Sequence, residues 1–311
     1  MTLVLHRLSY VCAALVTAFF GYPGAAGAQT VENEGESTTE AGVRSSQAPD
    51  QDPPSQPDWI ATVSAGVIDR DGDATRPFFV GGLSRRLGRG YVRVAATEFR
   101  SALRQIDAVL PSRYTIVSAG VGGTFGSWFV DAYGSIGRQK YGGVTTNLGT
   151  RESQVGDSSG IYGAAVSGGR FVALSRRLYL TPSAAIQYSA SRALRSTISM
   201  QGPLDYETDE RAWTGSATLR LDRYLGGSNQ HLAGLSISRV QTSNGATALS
   251  AGGGPGVSAT TVSVADGWFI LGSSAAIRVA PRLWLDGALN RTFGAQSGNY
   301  VVGSLGLRIG F

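Results

Sequence analysis

The chain has 311 residues, of which 43 are glycine, 42% are hydrophobic and only 16% are charged, with a net charge of +5. A charged fraction well below the usual quarter or so argues against an ordinary cytosolic enzyme, and the apolar fraction argues against a wholly disordered chain. A helical membrane protein is excluded as well, because the only long apolar run lies at the very start.

Residues 1–28 have the pattern of a cleaved secretory signal peptide. Arg7 supplies the positive charge, Leu8–Phe20 forms an apolar run too short to span a bilayer, and Ala26-Gly27-Ala28 is a small-residue cleavage site. Cys12 has no convincing lipidation motif before it, and an uncleaved signal anchor is the less favoured alternative. Because Cys12 is the only cysteine, the mature chain would contain none.

Residues 29–57 form the next segment, which we predict to be a disordered acidic linker. They contain six acidic residues and one arginine, with many Ser, Thr, Gln and Pro and no apolar period. Residues 58–311 carry a net charge of +9 instead. The basic residues are scattered rather than clustered, so we do not expect a nucleic-acid partner.

From residue 58 onwards, segments of about ten residues alternate between apolar and polar positions, as β-strands with two different faces do. In the last segment, Val301, Leu305, Leu307, Ile309 and Phe311 share one face, while Ser304 and Arg308 lie on the other. Twelve such segments are predicted: 58–68, 77–86, 90–101, 112–124, 127–138, 160–173, 177–191, 210–223, 230–241, 262–279, 282–293 and 299–311.

The connections between these segments alternate between short and long, with long loops expected at 139–159, 191–210 and 241–261. An even number of antiparallel strands with alternating connections predicts a closed, transmembrane, all-β barrel in a bacterial outer membrane. A soluble β-sandwich is the alternative, but aliphatic residues on the outer face disfavour it. Aromatic residues near the strand ends are expected to form interfacial girdles, namely Trp59, Phe99, Tyr114, Trp128, Tyr188, Trp213, Trp268 and Phe311.

The C-terminal residues Leu307, Ile309 and Phe311 also resemble the signal that the outer-membrane assembly machinery recognises. That machinery and the bilayer itself are therefore the expected partners. The expected localisation is the outer membrane of a Gram-negative bacterium.

Two stretches resemble the translocator domain of autotransporters. Residues 167–171 followed by 178–188, with Pro182 in mid-strand and Tyr188 at the end, are similar to one strand pair of that family; residues 303–311 are similar to its closing strand. The resemblance implies a translocator-type barrel. Only 29 linker residues lie between the predicted signal and the barrel, so a stand-alone barrel, a pore and a surface-display protein remain open.

No catalytic, nucleotide-binding or metal-binding motif is present in the sequence, so we predict no enzymatic activity, no cofactor and no metal site. His231 is the only histidine of the mature chain, and it opens a strand at the expected periplasmic end. A lipid A-modifying enzyme is therefore the weakest of the alternatives.

Charged residues on the predicted inward faces are the candidate lumen-lining groups. They are Asp131, Arg220, Asp222, Asp286 and Arg308. Such charges either line a water-filled pore or pair with one another in a closed barrel, and we favour pairing. The acidic linker by itself is too acidic and flexible to plug the lumen tightly, but a barrel lined with arginine would attract it, so an open lumen and a plugged lumen both remain alternatives.

Basic residues in or near the longer loops are candidates for binding the phosphates of lipopolysaccharide. They are Arg100, Arg104, Arg113, Arg138, Lys140, Arg151, Arg192, Arg195 and Arg211. A solvated rim is the slightly favoured alternative, because acidic residues are interleaved with them. The predicted function is accordingly a structural, translocator or surface-display barrel, with a porin-like channel as the alternative.

Overall fold

The structure is a computed structural model that describes residues 4–6, 57–71, 73–104, 108–199, 202–226, 231–251, 259–296 and 298–311. The predicted linker up to residue 56 and nearly all of the predicted signal peptide lie outside the described residues. Within the described part, no helix is long and apolar enough to cross a membrane.

Twelve long strands make up the fold. They are β1 (Trp59–Arg70), β2 (Arg76–Leu87), β3 (Gly90–Arg104), β4 (Ala108–Phe125), β5 (Trp128–Tyr141), β6 (Ser158–Arg170), β7 (Leu178–Ser199), β8 (Gly202–Leu225), β9 (His231–Ala251), β10 (Ala259–Ala280), β11 (Leu283–Phe293) and β12 (Tyr300–Gly310).

Three shorter features accompany these strands. Val172–Ser175 continues β6 along the start of β7. Val144–Thr146 and Gly149–Arg151 form a hairpin in the connection between β5 and β6, and it pairs with the start of β4. Val4–His6 pairs with Thr247–Leu249 of β9.

Each long strand pairs antiparallel with its neighbour in sequence, and β12 pairs with β1 to close the ring. The start of β1 and the end of β12 meet at this seam, where the backbones of Trp59 and Phe311 exchange hydrogen bonds of 3.0 and 2.9 Å. The predicted closed, antiparallel, twelve-stranded barrel is therefore confirmed. The turns after β2, β4, β6, β8 and β10 lie at the same end of the barrel as the start of β1 and the end of β12. We call this end of the barrel the short-turn end and the opposite end the loop end.

The alternation along each strand divides the barrel surface into two faces. On β12, Leu305, Leu307 and Ile309 point outward and are exposed, whereas Val302 is buried on the inward face. The same outward exposure of aliphatic residues recurs around the ring, for example at Val63, Val94 and Leu235. The barrel thus presents an apolar belt to its surroundings.

The strands on one side of the barrel are longer than the sequence indicated. Long loops at 191–210 and 241–261 were expected, but β7 continues to Ser199, β8 begins at Gly202, and β9 continues to Ala251. Residues 192–199 pair with 202–209 in unbroken register. The prediction was wrong because polar and apolar residues are mixed on both faces of these extensions, so they lack the alternation that marks a strand buried on one side.

The prediction of an outward aromatic girdle was also wrong for three of its residues. Trp128, Trp213 and Phe311 are outward and exposed as expected, but Phe99, Tyr114 and Trp268 are buried on the inward face. Each of these three lies at the opposite strand parity from its exposed aliphatic neighbours, such as Val94 on β3 and Val117 on β4. They therefore pack inside the barrel.

The closing seam depends on a glycine. A Cβ on Gly66 of β1 would collide with the carbonyl oxygen of Gly303 on β12 and would lie 2.5 Å from the Phe78 ring. The ring of Phe78 lies over this position and is fully buried. Glycine is required here because any side chain would overlap with the Phe78 ring and with the Gly303 carbonyl of the paired strand.

Gly66→Ala is expected to lower the free energy of unfolding by about 1–3 kcal/mol, because it overpacks the seam. Gly81→Ala is the matched control: a Cβ at this outward glycine on β2 has open space around it, so a change within about 0.5 kcal/mol is expected. Urea unfolding of the refolded barrel, followed by tryptophan fluorescence, measures both. Equal stability of the two variants would contradict the close approach at the seam.

Candidate functional site: the lumen and its outer cap

The half of the lumen nearest the short-turn end contains charged residues from several strands. The five predicted lumen-lining residues all lie on inward faces there, within about six residues of a short turn or chain end. Each has an oppositely charged partner within the described part of the barrel.

Asp131 of β5 lies at the centre of the first charged cluster. Its carboxylate accepts hydrogen bonds from the Tyr91 hydroxyl and from the Arg93 guanidinium, both on β3. These side chains cross over β4 at Gly122, where a Cβ would lie 2.5 Å from the Tyr91 hydroxyl. The sequence did not single out Tyr91 or Arg93. Their inward parity on β3 and the glycine opposite each of them on β4 were the available signals.

Arg220 and Asp222 of β8 form a second cluster. The Arg220 guanidinium lies 2.6–2.8 Å from the Asp222 carboxylate and donates to Ser274 of β10 at 3.0 Å. The intervening strand β9 carries Gly234 at this point, where a Cβ would lie 2.6 Å from the guanidinium. Glycine on the middle strand again lets a polar side chain reach across it.

Arg308 of β12 and Asp286 of β11 form the third cluster. The two side chains make a bidentate pair with distances of 3.0 and 3.1 Å. A bidentate arginine–carboxylate pair fixes both groups and leaves little free charge to attract an ion. The neighbouring predicted assembly residues Leu307, Ile309 and Phe311 point outward and are exposed.

Above the charged clusters, the lumen contains an apolar layer. One cluster joins buried side chains of β12, β1, β2, β3, β4 and β6, each about ten residues along its strand from the short-turn end. Its members are Ile68, Phe78, Phe99, Tyr114, Ile116, Ile161, Tyr300 and Val302. Phe99 and Tyr114 stack with a centroid distance of 4.5 Å and nearly parallel rings.

The remaining strands carry small polar groups at a similar height. Thr214 of β8 donates to Thr242 of β9 at 3.0 Å, and the Thr292 hydroxyl accepts from the Tyr300 amide at 2.7 Å. Trp268 of β10 is buried beside them. These hydroxyls bond to one another and to the backbone, so their bonding capacity is used within the protein.

The connection between β5 and β6 folds back onto the loop end of the barrel. Val144 of its hairpin is buried against Leu110 of β4, Tyr141 of β5 and Leu194 of β7. The Tyr141 hydroxyl lies 2.8 Å from the Ser159 hydroxyl and accepts the Leu194 amide at 3.1 Å. We call residues 142–157 the cap loop.

Arg151 fastens the cap loop to the neighbouring strands β7 and β8. Its guanidinium makes bonds of 2.5 and 2.6 Å to the Asp205 carboxylate and one of 2.9 Å to Ser196. Burial alone would raise the pKa of Asp205. The hydrogen bonds from Arg151, the Gln154 amide and Ser196, together with the Arg151 charge, outweigh burial and lower the pKa to about 2.

The other basic residues expected near the loops fall into separate groups. Arg195 forms a buried ion pair with Glu210, whereas Arg192 pairs at the surface with Asp209 at 3.3 Å. The side chain of Arg104 lies outside the described part, and Arg211 is exposed. The remaining four point outward on neighbouring strands: Arg100, Arg113, Arg138 and Lys140.

His231 begins β9 at the short-turn end, where its Nδ1 accepts the Arg278 amide at 3.3 Å. Among the described residues, no group of three His, Cys, Asp or Glu side chains is arranged to hold a metal ion.

Comparison with known proteins identifies the architecture. No family model matches the chain, and no curated protein matches it. Among solved structures, it is similar to the translocator domain of the autotransporter NalP from Neisseria meningitidis, with a TM-score of 0.60 and 13% identity over 84% of this chain and 90% of that one. The β-domain of the Bordetella autotransporter BrkA gives a TM-score of 0.56 and 14% identity, over 83% and 100% of the two chains.

The transport unit of the autotransporter AIDA-I from Escherichia coli is also similar, with a TM-score of 0.53 and 11% identity over 84% of this chain and 93% of that one. The fold is that of an autotransporter translocator domain. The predicted resemblance is thereby confirmed at the level of the fold.

Asp205→Asn is expected to release the cap loop, because it removes the charge that holds Arg151. Loss of a charge-assisted pair of this kind costs about 1.5–3 kcal/mol, so trypsin cleavage after Arg151 should accelerate about tenfold or more. Asp209→Asn is the control: Asp209 is exposed and pairs with Arg192 at the surface, so its loss should change the cleavage rate little. Equal rates in both variants would contradict the fastening role.

The same pair should make cap docking sensitive only to strong acid. A carboxylate with a depressed pKa contributes stability that is fully present above its unfolded pKa of about 3.9 and is lost as the pH falls through about 2. Pepsin cleavage at the exposed loop residue Leu148 should therefore be slow at pH 4 and faster at pH 2. Cleavage that is equally fast at both values would contradict this pairing.

Proposed function

We propose that this chain is a surface-exposed outer-membrane barrel of the autotransporter β-domain type, with a structural or display role and without a conducting pore. The observation that carries the proposal is the layer of buried apolar side chains contributed by six strands inside the barrel. The fold similarity and the outward apolar belt support membrane insertion. Export would use residues 1–28 as a signal peptide.

The arrangement of charge supports a closed barrel over a porin-like channel. A channel that conducts small ions needs a continuous watery path whose charged side chains face solvent. Here the five predicted lumen-lining charges form ion pairs, and the cap loop is fastened over the loop end by Arg151 and Asp205. Conduction would have to pass both the apolar layer and the cap.

The packing of side chains inside the barrel also makes a translocator role less favourable. A chain segment threading through the lumen would have to displace Phe78, Phe99 and Tyr114, which pack against one another. We therefore place display of the chain's own outer surface, formed by the cap loop and the extensions of β7 and β8, ahead of translocation. The acidic linker is not needed to close the barrel in this proposal.

Planar-bilayer recordings of the refolded mature chain test the proposal, with and without residues 29–57. Both forms should be silent, because the closing groups belong to the barrel itself, and heat-modifiable migration would prove that the barrel is folded. Steady, salt-dependent channels from the full mature chain would overturn the closed-barrel proposal. Channels only after deletion of 29–57 would show that the linker is the plug.

The double variant Phe78→Ala with Phe99→Ala is expected to open a conducting path, because it removes two buried rings from the apolar layer. It should also lower stability, since truncating a buried Phe costs about 3–5 kcal/mol. Phe79→Ala is the matched control, because Phe79 is the next residue but points outward. Conductance that stays silent in a folded double variant would contradict closure by this layer.

A further inference from the structure

The outward face of β3, β4 and β5 carries a row of basic residues. Arg100 of β3 lies directly opposite Arg113 of β4, and Arg113 lies directly opposite Lys140 of β5. Arg138 is two residues from Lys140 on the same face, and all four side chains are exposed. We call these four residues the basic row.

Like charges placed directly opposite one another on neighbouring strands destabilise a sheet. Two acidic residues offset the basic row in part: Glu98 lies 2.5 Å from Arg113, and Asp157 lies 3.8 Å from Arg138. Within the described part of the chain, Arg100 and Lys140 have no ion pair. The row therefore keeps a local excess of two positive charges.

An apolar floor adjoins the basic row on the side of the membrane belt. Val117 of β4 and Ile136 of β5 are a directly opposed pair, each about half exposed, and Tyr162 of β6 lies opposite Ile136. Part of the basic row and the Val117–Ile136 pair of this floor line one groove of about 590 Å³ on the outside of the barrel, and Asp157 lines it as well. Its wall includes Arg113, Arg138 and Lys140.

The described part of the β7 extension differs from the basic row at its exposed arginine. There, Arg192 is exposed but faces Asp209 at 3.3 Å and Glu207 at 4.0 Å, so that acidic groups outnumber it. The excess positive charge of the basic row is thus not repeated at Arg192. The cap loop and the long hairpins formed by β7–β8 and β9–β10 mark the loop end as the external side of an outer-membrane barrel, which places the groove at the outer leaflet.

We propose that the groove binds a phosphorylated glycolipid of the outer leaflet, of the lipid A type. Arg113, Arg138 and Lys140 would hold a headgroup phosphate, since arginine forks and the lysine ammonium match phosphate oxygens. Val117 and Ile136 would contact the acyl chains below. A soluble phosphate would contact only the basic row, whereas a phosphorylated glycolipid would contact both the basic row and the apolar floor. The inference rests on the outer-membrane location proposed above.

Thermal loss of heat-modifiable migration tests the inference in vesicles of phosphatidylcholine with and without lipid A. Lipid A should raise the midpoint of the full mature chain by at least about 3 °C. The gain should be lost in the variant carrying Arg113→Gln, Arg138→Gln and Lys140→Gln. It should persist in Arg192→Gln, the matched control on β7, two strands away from Lys140.

A second comparison needs no variant. Lipid A stripped of its phosphates keeps the acyl chains but should give no gain, and neither should millimolar inorganic phosphate with phosphatidylcholine alone. The full gain with dephosphorylated lipid A, with free phosphate, or with phosphatidylglycerol at equal charge would overturn the inference. So would an equal gain in the triple variant and in the wild type.

Failure of this inference can be told apart from failure of the proposed function. A folded, silent barrel that gains nothing from lipid A overturns the glycolipid site and leaves the closed-barrel proposal intact. A conducting barrel that lipid A stabilises gives the opposite result.

Discussion

Closure of the sheet is the constraint on which the rest of this molecule depends. A barrel in lipid has no water to satisfy an open strand edge, so β12 must pair with β1 along their whole length. The seam meets that demand from the Trp59–Phe311 bonds at one end to the Tyr300–Arg70 pair at the other. Gly66 and Phe78 then fit at the seam only because glycine leaves room for the ring.

Closure also decides what the interior must contain. Side chains alternate along each strand, so every strand sends half of its residues into a lumen of fixed width. In this chain, glycines on the middle strand of a triplet let Arg220, Tyr91 and their partners reach across it. Charges are thereby paired near the short-turn end, and aromatic rings fill the space above them. This packing of side chains from six strands supports the structural or display role proposed above over conduction.

The sequence predicted the outer face well because that face obeys a simple rule. Lipid-facing positions must be apolar, so residues such as Leu305, Leu307 and Ile309 establish the strand, its parity and the closed fold. The inner face obeys no such rule, since Phe99 inside and Trp128 outside are both aromatic. Whether such an aromatic residue points inward or outward follows from its position along the strand, odd or even, relative to the exposed aliphatic residues. The girdle prediction did not use this criterion.

Two other features could not be predicted from the sequence for a different reason. The extensions of β7 and β8 lie beyond the membrane belt, and their polar composition resembles that of loops. The partners of Asp131 and Asp205 depend on strands or loops that are distant in sequence, and Arg151 reaches Asp205 only because the cap loop folds back. The strand register and the docking of the cap loop bring these partners together, and neither can be predicted from a single sequence.

Hydroxyl-radical oxidation of the refolded mature chain, read residue by residue by mass spectrometry, tests the closed interior most directly. Phe78, Phe99 and Tyr114 point into the lumen, so a water-filled pore would expose them and a packed layer would protect them. If the layer is packed, oxidation of these three rings stays close to background, while Leu148 at the tip of the exposed cap hairpin is oxidised rapidly. Oxidation of the three rings at the rate of exposed residues, in a barrel proven to be folded, would contradict the packed layer.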